Sequence, residues 1–236
     1  RQIQFESNGG SMIADIIQDY GTSITLPQPQ INGYSFLGWY DADDIKFESS
    51  IMPSNNLILY AKWENNIYTV ELRNDEGEEL LDTISLTFDE NFEINYTPQK
   101  DGHFFIGWFD GANNSQTKYT DQRGRSIRSW DKTTDNTVLY PGWIIISYDI
   151  IYILDGGENY ENNVISYKVN QSITLYNPTR EGYEFDGWYL AEDLDEEDEE
   201  FEFVFDDNDM INYISEGTIG NLFIYAKWEA NDYIVN

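Results

Sequence analysis

Carboxylates crowd one stretch of this chain, "AEDLDEEDEEFEFVFDDNDMINYISEGTIGN" at 191–221, which includes Asp206, Asp207 and Asp209. Calcium is held by sets of oxygen ligands at fixed spacing. The loop order D-x-D-x-D-G is missing here, because the fifth position counted from Asp207 is Ile211. Calcium at Asp206, Asp207 and Asp209 is therefore one reading of the run. A solvated acidic hairpin with an added strand at "FEFVF" (201–205) is the other. A second insertion, at 111–136, is opposite in sign and carries Lys118, Arg123, Arg125, Arg128 and Lys132 beside Tyr119 and Trp130. Arginine next to tryptophan is the composition of a binding hot spot. Arg123, Arg125, Arg128, Trp130 and Tyr119 are thus candidate contact residues for a protein or glycan partner. The alternative is a hairpin whose tryptophan packs on its own unit.

Catalytic signals are poor. The chain has no cysteine and one histidine, His103, so no thiol nucleophile and no His/Cys zinc set can be built. Neither a G-x-S-x-G elbow nor a P-loop occurs. Carboxylate pairs suited to glycoside hydrolysis are plentiful, but they lie in low-complexity runs. The expectation is a protein that is not an enzyme and has no cofactor other than the calcium weighed above.

Net charge is −31 over 236 residues, with a pI near 4.1. Such acidity repels nucleic acid and anionic membranes. No run of about 18 apolar residues appears, so no helix inserts in a membrane from this segment. Lack of cysteine leaves the compartment open and is compatible with a bacterial surface protein that folds without disulfides.

The elements that must position these side chains recur. "GYSFLGWY" at 33–40 returns as "GHFFIGWF" at 102–109 and "GYEFDGWY" at 182–189; "LILYAKW" at 57–63 returns as "TVLYPGW" at 137–143 and "LFIYAKW" at 222–228. Self-similarity of this kind means tandem units. We divide the chain into repeat 1 at 1–65, repeat 2 at 66–146 with the basic insertion 111–136, and repeat 3 at 147–230 with the acidic insertion 191–221. Residues 231–236 resemble the opening of repeat 2, which implies a further repeat, or a tail, in a longer protein. The first two repeats carry net charges of −5 and −7 and the third, counted with 231–236, −19, so the acidity is concentrated in the third.

Within each unit, β-branched and aromatic runs end in glycine turns, as strands do. A first strand is expected at 3–10, 68–77 and 148–157, and a second at "SITL" (23–26), "FEINY" (92–96) and "SITLYN" (172–177), closed by Pro27, Pro98 and Pro178. The motif glycines Gly38, Gly107 and Gly187 mark a bulge or a close backbone approach. Helix signals are weak; "SMIADIIQDY" (11–20) is the best candidate for a short helix or a strand. Aromatic residues recurring at one place in every unit read as core, so Trp39, Trp63, Trp108, Trp143, Trp188 and Trp228 are expected to pack inside. Trp130 is the one tryptophan of seven outside this pattern.

The order strand-NGG, GYxFxGWY, then YAKW resembles the Listeria–Bacteroides repeat, also called the internalin B-repeat-like domain. The resemblance covers nearly the whole chain. Repeat 2 departs at His103, at "YPGW" and at "NDEG". The resemblance implies a small β-grasp, ubiquitin-like fold in long tandem arrays on cell-surface proteins of Firmicutes, related bacteria and some protists. Some surface repeats of other families carry Lys–Asn isopeptide crosslinks, and Lys62 and Lys227 lie in "YAKW". Repeat 2 has Gly142 there, so no crosslink common to all three is expected.

The expected fold is mostly β, α+β at most, with very short linkers at 64–66 and 144–147 that predict an elongated rod. The expected function is an extracellular adhesin stalk, spacer or interaction module on a bacterial cell. The alternatives are a homopolymeric filament or layer joined through the basic loop of repeat 2 and the acidic loop of repeat 3, and a lectin-like or receptor-binding module. Partners are a protein or glycan on host or neighbouring cells, or a second copy of the chain.

Overall fold

The computed structural model describes residues 1–191 and 210–231. Every repeat is built on the same sheet. In repeat 1, β1 (Gln2–Glu6) pairs antiparallel with β2 (Ile16–Ile17) and parallel with β4 (Leu57–Asn65), which pairs antiparallel with β3 (Tyr34–Tyr40), giving the order β2-β1-β4-β3. Repeat 2 contains β5 (Ile67–Arg73), β6 (Leu80–Thr87), β7 (His103–Gly111), β8 (Ser115–Lys118) and β9 (Thr137–Ile145), in the order β6-β5-β9-β7-β8. In repeat 3 the main sheet is made of β10 (Ser147–Ile153), β11 (Ser166–Lys168), β13 (Tyr183–Ala191), β14 (Met210–Ile211) and β16 (Leu222–Ala230), in the order β11-β10-β16-β13-β14. Two more short strands, β12 (Ile173–Thr174) and β15 (Tyr213–Ile214), pair with each other.

The first and last strands of each repeat are thus central and parallel. Ile3 stands opposite Leu57, Val70 opposite Thr137 and Ile150 opposite Leu222. A parallel pair needs a long crossover, and the intervening chain supplies it without a helix: none occurs among the described residues. The segment 11–20, read as a short helix or a strand, contributes the two-residue β2.

One expectation is corrected. The segments 23–26, 92–96 and 172–177 are not the second strands of the sheets. They make only the bridges Ser23–Ile51 and Glu93–Arg125 and the β12–β15 pair. The following prolines cannot donate to a ladder. The edge beside the first strand is taken instead by β2, β6 and β11.

The chain forms two compact units, residues 1–98 with 106–142 and residues 99–105 with 143–236. Repeats 1 and 2 are joined by Asn66, between β4 and β5, and repeats 2 and 3 by Ile146, between β9 and β10.

Equivalent side chains fill each core. Ile3, Val70 and Ile150 come from the first strand, Leu59, Leu139 and Ile224 from the last, and all are buried. The tryptophans of the GW motif, Trp39, Trp108 and Trp188, are at most 2 % exposed. Each indole Nε1 donates to the carbonyl twelve residues earlier, of Pro27 at 2.8 Å, Tyr96 at 3.4 Å and Tyr176 at 3.2 Å. A large ring is buried and its one polar atom satisfied in the same step. Trp63, Trp143 and Trp228 are half-buried, with Trp63 Nε1 donating to Ser7 O and Trp228 Nε1 to Leu154 O. At Gly38 and Gly187 the pairing register shifts, as a bulge requires.

Candidate functional site

The insertion of repeat 2 is the first place to look for private function. β7 turns through Asn113 and Asn114, both at positive φ, into β8. A second turn follows at Asp121, whose Oδ1 accepts the backbone N–H groups of Arg123 at 2.8 Å and Arg125 at 3.0 Å. Asp41 makes the same turn in repeat 1, accepting from Asp43 and Ile45.

What differs is the residue that follows. The amide of Ile24 donates to Ser50 O, that of Ile94 to Gly124 O and that of Leu175 to Asn212 O. Two residues beyond each acceptor stand Met52, Ser126 and Ile214. Met52 and Ile214 are core residues, 0 % and 3 % exposed. Serine cannot fill that volume, and the insertion supplies Tyr119 and Trp130 instead, each 0 % exposed. Their ring centroids lie 5.1 Å apart, with Phe92 edge-on to Trp130 at 6.1 Å. The backbone of Trp130 is held on both sides, its N–H donating to Glu90 O and its carbonyl accepting from Asp89 N.

Two of the five candidate contact residues are therefore corrected. Trp130 and Tyr119 are wholly inside repeat 2 and offer no area to a partner. Arg123, Arg125 and Arg128 are exposed. Arg128 pairs with Asp131 at 2.8 Å and lies 5.4 Å over the Tyr119 ring, and Arg125 comes within 3.9 Å of Glu93. Lys132 pairs at 2.7 Å with Asp110, a carboxylate only 6 % exposed that also accepts Thr117 N–H. Much of the positive charge read from the sequence thus faces carboxylates of its own repeat.

The Tyr119 hydroxyl donates a short hydrogen bond to Asp131. Burial pushes its pKa well up, with that bond and the charges of Asp131 and Asp110 adding to the shift. The folded state keeps this proton while the unfolded chain releases it near pH 10. The contribution to stability is full below about pH 10 and is lost as pH rises above it. In alkaline melting, Tyr119→Phe should show a smaller loss of stability above about pH 10 than the parent chain. Equal losses would contradict the assignment.

The other sequence candidates are placed as follows. Asp206, Asp207, Asp209 and the strand expected at 201–205 lie outside the described residues. His103 is a rim residue of β7: its Nδ1 donates to Asp101 O at 2.7 Å, and its ring is 6.4 Å from Trp143. Lys62 pairs with Asp44, and Lys227 with Asp186 at 2.6 Å, both as partly exposed ion pairs.

A feature missed in the sequence is the junction between repeats. Gly33 holds φ +86, and a Cβ there would lie 2.4 Å from the Phe88 ring of repeat 2. The Tyr34 ring stands edge-on to Phe88 at 5.3 Å, and its hydroxyl donates to Asp89 at 2.9 Å. Gly102 holds φ +68, and a Cβ there would lie 2.5 Å from Val169 Cβ of repeat 3. The glycine-aromatic opening of one repeat thus receives an apolar side chain of the next. The signal was present in "GY" and "GH", but only strand register shows what faces them.

Comparison with known proteins follows this pattern. The Listeria-Bacteroides repeat domain matches residues 2–62, 68–140 and 148–227. A protein of Evansella cellulosilytica named as a Gly-rich membrane protein is 32% identical over 99% of this chain and 25% of its own length. A second from that organism, named as a membrane protein, is 31% identical over 98% of the chain and 33% of its own length. Internalin H of Listeria monocytogenes is 36% identical over 41% of the chain and 18% of its length. The chain thus spans a quarter to a third of the first two relatives.

Proposed function

Since the chain belongs to the Listeria-Bacteroides repeat family, shown by three matches along it, we propose that it is a non-catalytic segment of a bacterial cell-surface protein, acting as a stalk or spacer. The reading rests on the junction between repeats, made twice by a glycine at positive φ against an apolar side chain of the next repeat, Phe88 at Gly33 and Val169 at Gly102. A junction with one linking residue and a packed apolar contact restricts the motion of one repeat against the next. The names of the relatives, membrane proteins and an internalin, agree with a place at the cell surface. The β-grasp identity of each repeat and the rod built from them belong to this proposal, as does adhesion to a protein or glycan.

The test is sedimentation velocity on the dilute chain. A monomer whose frictional ratio is well above that of a compact globule of 27.6 kDa supports the stalk. A compact particle overturns it. The exposure of Arg123, Arg125 and Arg128 favours one second reading, a polymer joined by charge to the acidic loop. It is distinguished by particles that grow at low salt and dissociate at high salt, since salt screens such contacts.

A further inference from the structure

Repeat 1 carries a cleft beside its junction with repeat 2. The cleft has a volume of about 390 Å³ and is lined by the segment 29–32 and by Tyr34, Phe36 and Trp63. Small-molecule sites begin at about 300 Å³. Among the described residues, none that lines it is charged. A second cleft, of about 300 Å³, shares Phe36 with the first and follows 26–28. Its two charged side chains, Lys46 and Glu48, pair with each other at 3.5 Å. Burial alternates along this segment: Gln28, Gln30 and Asn32 are exposed, Pro29 is buried and Ile31 half-buried. Three carboxamides therefore stand along one side of an extended stretch.

The other repeats differ at these positions. Counted from Gly33, Gly102 and Gly182, the three carboxamides correspond to Thr97, Gln99 and Asp101 in repeat 2 and to Asn177, Thr179 and Glu181 in repeat 3. Ile31 corresponds to Lys100 and Arg180. Arg180 lies 3.9 Å over the ring of Tyr183, the counterpart of Tyr34, and pairs with Asp155 at 2.8 Å. Ile31 instead turns its Cδ1 to Gly9, where a Cβ would lie 3.7 Å from it. The rings of repeat 1 are also held in place. The Tyr34 hydroxyl donates to Asp89 at 2.9 Å and Trp63 Nε1 to Ser7 O at 3.0 Å, and the Phe36 and Trp63 centroids lie 5.3 Å apart. Groups fixed before a ligand arrives lower the ordering cost of binding.

We propose that this cleft of repeat 1 binds a neutral oligosaccharide. Sugar hydroxyls both donate and accept, and a carboxamide answers both, with an acceptor oxygen and two N–H donors. The apolar ring faces of Phe36 and Trp63 suit the C–H faces of a sugar. The net charge of −31 repels anionic ligands, and the larger cleft has no carboxylate to hold a cation. An extended peptide meets no free strand edge at Gln30, whose backbone N–H donates to Ser11 Oγ and whose carbonyl accepts from Ser11 N. Because the two clefts share Phe36, the ligand is longer than one sugar unit. The proposal rests on the adhesive part of the reading above and gives it a place and a ligand class.

The experiment is a titration of the isotope-labelled 236-residue chain with cellotetraose, chitotetraose, maltotetraose and mannotetraose, with a heparin tetrasaccharide as the charged control. Saturable binding of at least one neutral sugar is expected, with shifts at the Trp63 indole N–H and at the side-chain amides of Gln30 and Asn32. The affinity should not change with salt, since no charge is paired. Gln30→Ala combined with Asn32→Ala should lower the association constant at least about tenfold, through two lost hydrogen bonds. Both side chains are exposed, so the variant stays folded. Ile31→Arg, which copies repeat 3, should abolish binding while the other resonances keep their positions. Failure of all four neutral sugars to bind overturns the proposal. So does tighter binding of the heparin fragment, or binding that both variants leave unchanged. A stalk-like frictional ratio without sugar binding removes this site and keeps the stalk, whereas a compact particle that binds sugar does the reverse.

Discussion

Trp130→Ala removes about 3–5 kcal/mol from repeat 2, the cost of emptying a large ring from a packed core. The ring is wholly buried against Tyr119 and Phe92, in the repeat whose register puts Ser126 where the others have Met52 and Ile214. Its neighbours are set in short strands and turns and cannot collapse far, so the upper part of that range applies. Trp130→Phe should cost much less. The Trp130 indole N–H is buried with no hydrogen-bond partner among the described residues, and an unsatisfied donor costs about 1–3 kcal/mol. Phenylalanine loses some contact area but removes that donor. The reverse holds at Trp39, where Phe would break the 2.8 Å bond to Pro27 O. A chain of three repeats does not melt in two states, so the measurement is hydrogen exchange of the β5 and β9 amides. If their protection is unchanged in Trp130→Ala, the insertion is not part of the core.

The motif glycines give the second large effect, and it differs between repeats that look alike in sequence. Gly107 holds φ +128, and a Cβ there would lie 2.1 Å from the backbone oxygen of Thr120. Backbone cannot step aside as a side chain can. Gly107→Ala combines positive-φ strain with overpacking and should cost about 3 kcal/mol or more. Gly38 has φ +135, but its Cβ would meet Lys46 Cε at 2.7 Å, the far end of a flexible chain. Its cost is mainly the strain, about 1–2 kcal/mol. Gly187 makes the same register shift without a positive φ in the left-handed range, and its nearest contact is Met210 Cε at 3.0 Å. Alanine there should cost under about 1 kcal/mol. Hydrogen exchange on the three single variants checks the ranking. Equal effects would mean that the motif glycine is needed for one common reason.

These two cases also show what was legible beforehand. The repeats, the strand-rich fold and the bulge at the motif glycine follow from period and residue type, because glycine and tryptophan at fixed spacing leave few alternatives. The burial of Trp130 does not. An arginine-rich loop with a lone tryptophan has the composition of a contact surface. Only the pairing of Ile94 with Gly124 shows that Ser126 stands at a core position and leaves a volume to fill. The second strands were misplaced for a related reason. "SITL" and "SITLYN" have the residues of strands, but sheet order depends on which segment reaches the edge beside β1 and β10, and that is a long-range matter. The junctions were legible only on their glycine side, because the entering residues Phe88 and Val169 share no residue type, only a register.

The parallel pairing of first and last strands has a mechanical consequence. Tension along the polypeptide enters each repeat through one of these strands and leaves through the other. Because they run side by side in the same sense, the pull slides one past the other and loads their hydrogen bonds together rather than one after another. The clamp spans Ile3–Glu6 against Leu57–Tyr60 in repeat 1 and Ile150–Ile153 against Leu222–Tyr225 in repeat 3, but only Val70–Leu72 against Thr137–Leu139 in repeat 2. Force resistance is a matter of unfolding rate rather than of equilibrium stability. Among the described residues, the repeat with the most buried aromatic rings is thus the one with the shortest shear clamp.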